Sequence, residues 1–108
     1  MVKFERRRYL AFKVYTDGGE ISGEKLAKEI WNSLIGLFGE NSAAEVNFWL
    51  MYYDPKRGIG IARCTNRTVD LLRTAMTLIS TIDGIRISIK TLKTSGTFRK
   101  LRKKYLLR

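Results

Sequence analysis

Residues 57–64 read Arg57-Gly58-Ile59-Gly60-Ile61-Ala62-Arg63-Cys64, and this stretch decides the fold. Side chains alternate between the two faces of a β-strand, and one face here takes only small residues, Gly60, Ala62 and Cys64. Helices can therefore pack closely against that face. The other face carries two arginines and two isoleucines, which make it too apolar for water and too basic for a core. The pattern predicts the central strand of one small sheet with helices on one side.

The segment before this stretch predicts a strand, a helix and a second strand. Residues 9–15 alternate between apolar and polar side chains, which is typical of a half-buried strand. A helix then runs from a side-chain cap at Ser22 to a glycine stop at Gly39. After a loop over residues 40–44, residues 46–53 form a strand that makes a hairpin with the quoted stretch. On that strand the residues expected to face away from the helices are Asn47, Trp49, Met51 and Tyr53.

The segment after it predicts a helix, a strand and a basic tail. Thr65 or Asn66 caps the helix, and residues 85–90 alternate as the fourth strand. The tail, residues 96–108, begins with a glycine that is expected to let the chain turn. Thr97 is expected to cap a short basic helix in this tail, with apolar residues along one side.

The order of elements is strand, helix, two hairpin strands, helix and strand, so residues 1–108 are predicted to form one α+β domain. This is the ferredoxin-like, or RNA-recognition-motif-like, two-layer sandwich (βαββαβ), in which the first and third strands are central. A length of 108 residues with 44% hydrophobic content fits one domain with a modest core. The second face of the sheet is open unless the basic C-terminal helical tail folds over it.

Charge and composition narrow the class of protein. A net charge of +11 and a pI near 10.2 indicate a polyanionic partner, with nucleic acid ahead of anionic lipid. No apolar run approaches the ~20 residues that span a bilayer, and the N-terminus resembles no signal peptide, so we expect a cytoplasmic protein with no membrane contact. Cys64 has no second cysteine to pair with and is expected in the core. The chain has no histidine, the commonest general base and metal ligand.

The basic residues are concentrated in the second half of the chain. Residues 9–54 contain three basic and seven acidic side chains, whereas residues 55–108 contain fourteen basic and two acidic ones. A block this one-sided repels itself without a polyanion, so we favour RNA contact over a solvated charge run. The basic residues at the start of the first strand are expected to lie beside those of the fourth strand. Together they are expected to contact successive phosphates of the RNA backbone. The predicted RNA-binding residues are Arg6, Arg7, Arg8, Arg86, Lys90, Arg99, Lys100, Arg102, Lys103 and Lys104.

The quoted stretch has the outline of the RNA-recognition-motif signature, which is basic-Gly-aromatic-Gly-aromatic-small. Ile59 and Ile61 stand where the base-stacking aromatic residues should be, so we expect the scaffold to serve another purpose than stacking single-stranded bases. The aromatic residues expected on the open sheet face are more often covered by protein than by bases. The residues predicted to form a protein interface, either with the tail or with another chain, are Trp49, Met51, Ile59 and Ile61.

Five short pieces of sequence, spread along nearly the whole chain, match a known family in the same order. They are Met1-Val2-Lys3-Phe4, Arg8-Tyr9-Leu10, Phe38-Gly39 with Ala43-Ala44, Gly58-Ile59 with Arg63-Cys64, and Ser95-Gly96-Thr97 with Arg99. In this order they resemble the small α/β protein subunit of archaeal and eukaryotic ribonuclease P, the Pop-five type. The resemblance implies a subunit of the ribonucleoprotein endonuclease that removes the 5′ leader of precursor tRNA. In that family the RNA performs the Mg²⁺-dependent hydrolytic cleavage.

The resemblance also implies partners. The protein is expected to support the catalytic half of the ribonuclease P RNA together with a TIM-barrel-like protein subunit and other ribonuclease P proteins. We expect no cofactor in this chain, because Mg²⁺ belongs to the RNA component. Eukaryotic relatives carry a long acidic C-terminal extension, and a chain that stops at Arg108 suggests the archaeal branch. Whether two copies pair as a self-dimer is left open.

The acidic residues do not form the cluster that a metal-dependent nuclease needs. Only Asp17 and Glu20 are close neighbours, and we expect both to be turn residues. No catalytic residue and no metal ligand is therefore predicted. One alternative is a free-standing RNA-binding module or RNA chaperone with the same fold. Another is a ferredoxin-like enzyme related to acylphosphatases, but its phosphate-cradling loop would fall at residues 16–20, which are acidic.

Overall fold

The computed structural model describes residues 6–106 and contains a five-stranded antiparallel sheet and three α-helices. The elements are β1 (Arg7–Thr16), α1 (Gly23–Val46), β2 (Trp49–Asp54), β3 (Ile59–Thr65), α2 (Val69–Thr77), β4 (Thr81–Ile82), β5 (Ile85–Ser95) and α3 (Phe98–Tyr105). The strand order is β2-β3-β1-β5-β4, so β1 and β3 are central as the ferredoxin-like plan requires. The fourth strand of the prediction corresponds to β5, and β4 is a short addition that forms a hairpin with it.

The main core lies between the sheet and the layer formed by α1 and α2. The small face predicted for β3 is confirmed, because Ala62 and Cys64 are buried there against the helices. Gly60 is needed for space: a Cβ at this position would lie 2.5 Å from the ring of Phe12 and 2.9 Å from the carbonyl oxygen of Tyr52. Cys64 is a core residue, as predicted, and burial raises the pKa of its thiol to about 11.

Helix α1 is longer than predicted. Ser22 caps it, since its hydroxyl accepts a hydrogen bond from the backbone N–H of Lys25 at 3.2 Å. Gly39 does interrupt the helix, with φ 85° and ψ 165°, but the helical conformation resumes after this kink and continues to Val46. The predicted loop over residues 40–44 is therefore wrong. The second part of the helix forms because Ala43 and Val46, three positions apart, are both completely buried.

Strand β2 also departs from the simple alternation. It begins at Trp49, and a register shift between Leu50 and Tyr52 indicates a β-bulge at Met51. The bulge reverses the faces of the following residues. Tyr53, predicted to point away from the helices, instead packs on the core and stacks on Phe12 with ring centroids 6.3 Å apart. Burial raises the pKa of the Tyr53 phenol, and the carboxylates of two nearby acidic residues raise it further.

Within residues 6–106, no helix is both long enough and apolar enough to cross a lipid bilayer. The first of the five sequence pieces, Met1-Val2-Lys3-Phe4, lies outside the described residues, as does the last residue of the tail, Arg108.

Candidate nucleic-acid interface

Helix α3 folds over the sheet face opposite α1 and α2. Leu101 is its central anchor and is 1% exposed, packed with Ala11 of β1 and Ile61 of β3, which are both 0% exposed. Phe98 adds an edge-to-face contact with Tyr9, with ring centroids 6.1 Å apart. These contacts form a second, smaller core. The predicted contact between the tail and the outer face of the sheet is therefore present within the chain.

Both ends of α3 are held in place by hydrogen bonds. At its start the Thr97 hydroxyl accepts from the backbone N–H of Lys100 at 3.4 Å, so the predicted cap is present. At its end Nη2 of Arg57 donates to the carbonyl oxygen of Tyr105 at 3.2 Å. The chain bends at Gly96, between β5 and α3, as predicted. A Cβ there would lie 2.8 Å from Nη1 of Arg8, but this atom is the far end of a flexible side chain that can move aside.

The solvent side of α3 is entirely basic. Its apolar residues face the sheet, and its other residues are exposed lysines and arginines with no acidic residue among them. Positive charges in the last turn also interact favourably with the negative end of the helix dipole. The sequence therefore gives this helix a side that anchors it and a side that can contact phosphates. The exposed basic residues of α3 are Arg99, Lys100, Arg102, Lys103 and Lys104.

The strands extend this charge beside α3. Lys13 follows Tyr9 and Ala11 on the same side of β1, and it lies opposite Lys90 of β5. Lys93 lies opposite Ala11 on that side too. We call this surface the basic face, and its residues are Lys13, Arg86, Lys90 and Lys93 from the sheet together with the five basic residues of α3.

Two of the predicted RNA-binding residues lie elsewhere than expected. Strand β5 is antiparallel to β1, so the start of β1 meets the end of β5, where Tyr9 lies opposite Ser95. Arg86 is at the other end, beside Asp17, with 3.9 Å between Nε and the carboxylate. At roughly 3.3 Å per residue, that end is about 30 Å from the exposed residues Arg6 and Arg7. The prediction that Arg86 and Lys90 flank the N-terminal arginines is wrong, although both residues do belong to the basic face.

The predicted protein interface is only partly accessible. Ile61 is buried under α3, so its contact is internal and it cannot meet another chain. Ile59 and Met51 are half-buried. Trp49 is 61% exposed and, with Trp31, lines an open apolar groove between α1 and the edge strand β2.

Sequence reasoning missed several of the residues that the fold brings together. Trp31 has the helical spacing of the buried residues of α1, yet it is 38% exposed and reaches the groove. Lys93 follows a register shift in the pairing of β1 with β5, which places it on the basic face. Lys13 could have been found, because its alternation with Tyr9 and Ala11 already placed it on the outer side of the sheet.

Among residues 6–106, no group of three or more cysteine, aspartate or glutamate side chains could hold a metal ion. Asp17 pairs with Arg86 at the surface. Glu20 is an exposed residue in the segment between β1 and α1. Both residues therefore lie in the connection that the sequence predicted for them.

Comparison with known proteins identifies the family to which this chain belongs. Residues 8–106 match the model of the Rpp14/Pop5 family. The chain is 37% identical over 102 residues to ribonuclease P protein component 2 of Pyrococcus horikoshii, covering 94% of this chain and 84% of that protein. The protein of the same name from Archaeoglobus fulgidus is 34% identical over 101 residues, covering 94% of this chain and 89% of the relative.

The fold also has a counterpart of known structure. A chain in the cryo-EM structure of yeast ribonuclease MRP superposes with a TM-score of 0.70 at 13% sequence identity, covering 90% of this chain and 79% of the other. At this level of identity the match concerns the fold, and it agrees with the predicted α+β sandwich. The family match and the archaeal relatives together cover nearly the whole chain, and this chain belongs to the Rpp14/Pop5 family.

Proposed function

We propose that this protein is a non-catalytic subunit of ribonuclease P, the endoribonuclease that removes the 5′ leader of precursor tRNA. The basic face binds the phosphate backbone of the RNA component and supports its active fold. The archaeal relatives, named as ribonuclease P protein components, support this assignment, since they match 94% of this chain. Chemistry then belongs to the RNA and to the Mg²⁺ that the RNA binds.

The observation that carries the proposal is the position of α3. Its five basic residues extend into solvent while Leu101 fixes the helix to the sheet, so the charges are held in a defined arrangement. An exposed row of like charges repels itself and is favourable only when a polyanion neutralises it. Phosphate contacts of this kind position a protein on a structured RNA without reading its bases. The isoleucines of β3 are in keeping with this mode, because they offer no ring on which a base can stack.

Protein partners belong to the same proposal. A TIM-barrel-like ribonuclease P subunit, other ribonuclease P proteins or a second copy of this chain would meet a surface other than the basic face. The groove lined by Trp31 and Trp49 is suited to such a contact, since exposed tryptophans are enriched at protein interfaces. The groove lies on the edge of the sheet and leaves the basic face free for RNA.

Reconstitution tests the proposal. Ribonuclease P RNA and precursor tRNA are incubated at low Mg²⁺ with the other protein subunits, with and without this chain. We expect 5′-leader removal to be faster with the chain present, and we expect the chain alone to cleave nothing. A free-standing RNA-binding module or chaperone would bind RNA without a specific effect on this reaction. Equal cleavage rates with and without the chain at saturating protein would contradict the proposal.

A further inference from the structure

A polar basin lies where β3 leaves the sheet and the chain turns toward α2. Its volume is about 870 Å³, and three arginines line it, Arg7, Arg63 and Arg67. Glu45 is the one acidic side chain in the described lining, so basic side chains outnumber acidic ones there. The basin is therefore an electropositive pocket of a size that admits a phosphate group.

Arg63 is the unusual member of this lining. It lies on the central strand β3, with Tyr9 of β1 and Trp49 of β2 as its cross-strand neighbours. Its Nε is buried and has no hydrogen-bond partner among the described residues. A buried donor of a charged group without an acceptor is unfavourable, and such groups in native proteins call for an explanation. Nε itself is closed to solvent, so a ligand in the basin can meet only the accessible part of the Arg63 side chain, which lines the basin.

Arg7 places a second guanidinium on the same side of the sheet. Arg7 lies opposite Thr65, and Arg63 lies opposite Tyr9, so the two arginines are diagonal neighbours on one face of the β1–β3 pair. Diagonal positions on a sheet face are about 7–8 Å apart, which long side chains span easily. Two guanidinium groups at this separation can converge on one tetrahedral anion, and arginine suits phosphate because it can donate two parallel hydrogen bonds.

We propose that this basin binds one backbone phosphate of a structured RNA, with Arg63 and Arg7 as the donors. The proposal rests on the proposed function, because it assumes that the RNA lies along the basic face. The basin adjoins that face: Tyr9, the neighbour of Arg63, is in contact with Phe98 at the start of α3. An RNA backbone that follows α3 toward its N-terminal end therefore reaches the basin. The burial of Nε holds the Arg63 side chain in place, so its guanidinium group is ordered before RNA binds.

The test combines a direct and an energetic measurement on the full chain with ribonuclease P RNA. In the first, the Nε–Hε NMR signal of Arg63 is followed as RNA is added. We expect this signal to shift, because an anion bound at the guanidinium group changes the electronic environment of Nε. In the second, RNA affinity is measured across a range of salt concentrations for Arg63→Gln and Arg7→Gln. Arg73→Gln is the matched control, because Arg73 lies on α2 and is ion-paired with Asp70.

We expect Arg63→Gln to weaken RNA binding by about 10-fold or more and to reduce the slope of log affinity against log salt by about 0.7–0.9. Arg7→Gln should act in the same direction, and because Arg7 is exposed this variant answers the question even if Arg63→Gln fails to fold. Wild-type affinity and slope in both Arg63→Gln and Arg7→Gln would overturn the inference while leaving the proposed function intact. A signal of Arg63 that responds to a protein subunit and not to RNA would overturn it too. If the wild-type chain fails to bind this RNA at all, the proposed function itself is wrong.

Discussion

Replacing Leu101 by alanine should detach α3 and weaken RNA binding without touching a basic residue. Leu101 is the buried centre of the second core, between Ala11 and Ile61. Removing three carbon atoms costs about 2.4 kcal/mol of transfer free energy at about 0.8 kcal/mol each, and the remaining cavity adds to this. Because an isolated eight-residue helix is unstable in water, α3 should unfold once it detaches.

We therefore expect a loss of about 2–4 kcal/mol in the docking free energy of α3. Hydrogen exchange measures this locally, since the amides of residues 98–105 should lose protection while those of β1 and β3 change little. RNA affinity should fall because the five positive charges of α3 lose their fixed positions. Leu78→Ala is the matched control: Leu78 is 60% exposed, and its truncation should change stability by less than about 0.5 kcal/mol. Equal protection of α3 in the two variants would refute the packing argument.

Further predictions concern three positions, Gly58, Cys64 and Trp49. Gly58→Ala should destabilise the protein by more than about 1 kcal/mol in urea denaturation, because Gly58 has φ 70° and a Cβ would collide with the Val14 carbonyl oxygen. The control Gly36→Ala in α1 should instead stabilise it by about 0.5–1 kcal/mol. Equal effects of the two substitutions would contradict this. Cys64 has a pKa raised to about 11 from 9.0, so at neutral pH its thiolate fraction is about 100-fold lower, and alkylation should be fast only after unfolding; fast alkylation of the native protein would argue against burial. The same shift predicts that ionisation of Cys64 leaves the free energy of unfolding unchanged below pH 9 and lowers it as the pH rises toward 11, because only the thiol of the unfolded state ionises there. Trp49→Glu should leave the melting temperature nearly unchanged and weaken binding to a ribonuclease P protein subunit in pull-down assays, and unchanged binding would place that contact elsewhere.

The structure is predicted correctly from the sequence at those positions where the local sequence pattern and the tertiary packing favour the same conformation. The small residues of β3 predicted which face of the strand packs against the helices. At Gly60 the lack of a side chain leaves space for the ring of Phe12. The cap at Thr97 and the apolar side of the tail could also be predicted from the sequence, because helical spacing places Leu101 and Phe98 on one side of the helix. The ferredoxin-like order of the strands follows from the order of elements and from the short hairpin connection.

The errors arise where a long-range contact overrides the local pattern. No residue type marks the bulge at Met51, since the stretch Trp49 to Tyr53 is apolar at every position and fits either register. The helical turn after Gly39 forms because Ala43 and Val46 find space in the core, which no short window of sequence reveals. The basin at the end of β3 depends on the pairing of β1 with β3, so it appears only in three dimensions.

The salt dependence of RNA binding tests the central claim, that the basic face neutralises RNA phosphates, most directly. The double replacement of Lys100 and Lys103 by alanine removes two charges from α3, and the double replacement of Lys25 and Lys28 removes two from α1 on the other side of the sheet. Each phosphate contact adds about 0.7–0.9 to the slope of log affinity against log salt, so the first pair should reduce the slope by about 1.4–1.8. The second pair should leave it nearly unchanged. Equal slopes for the wild type and the α3 variant would mean that RNA binds elsewhere and that the charges of α3 are only a solvated surface.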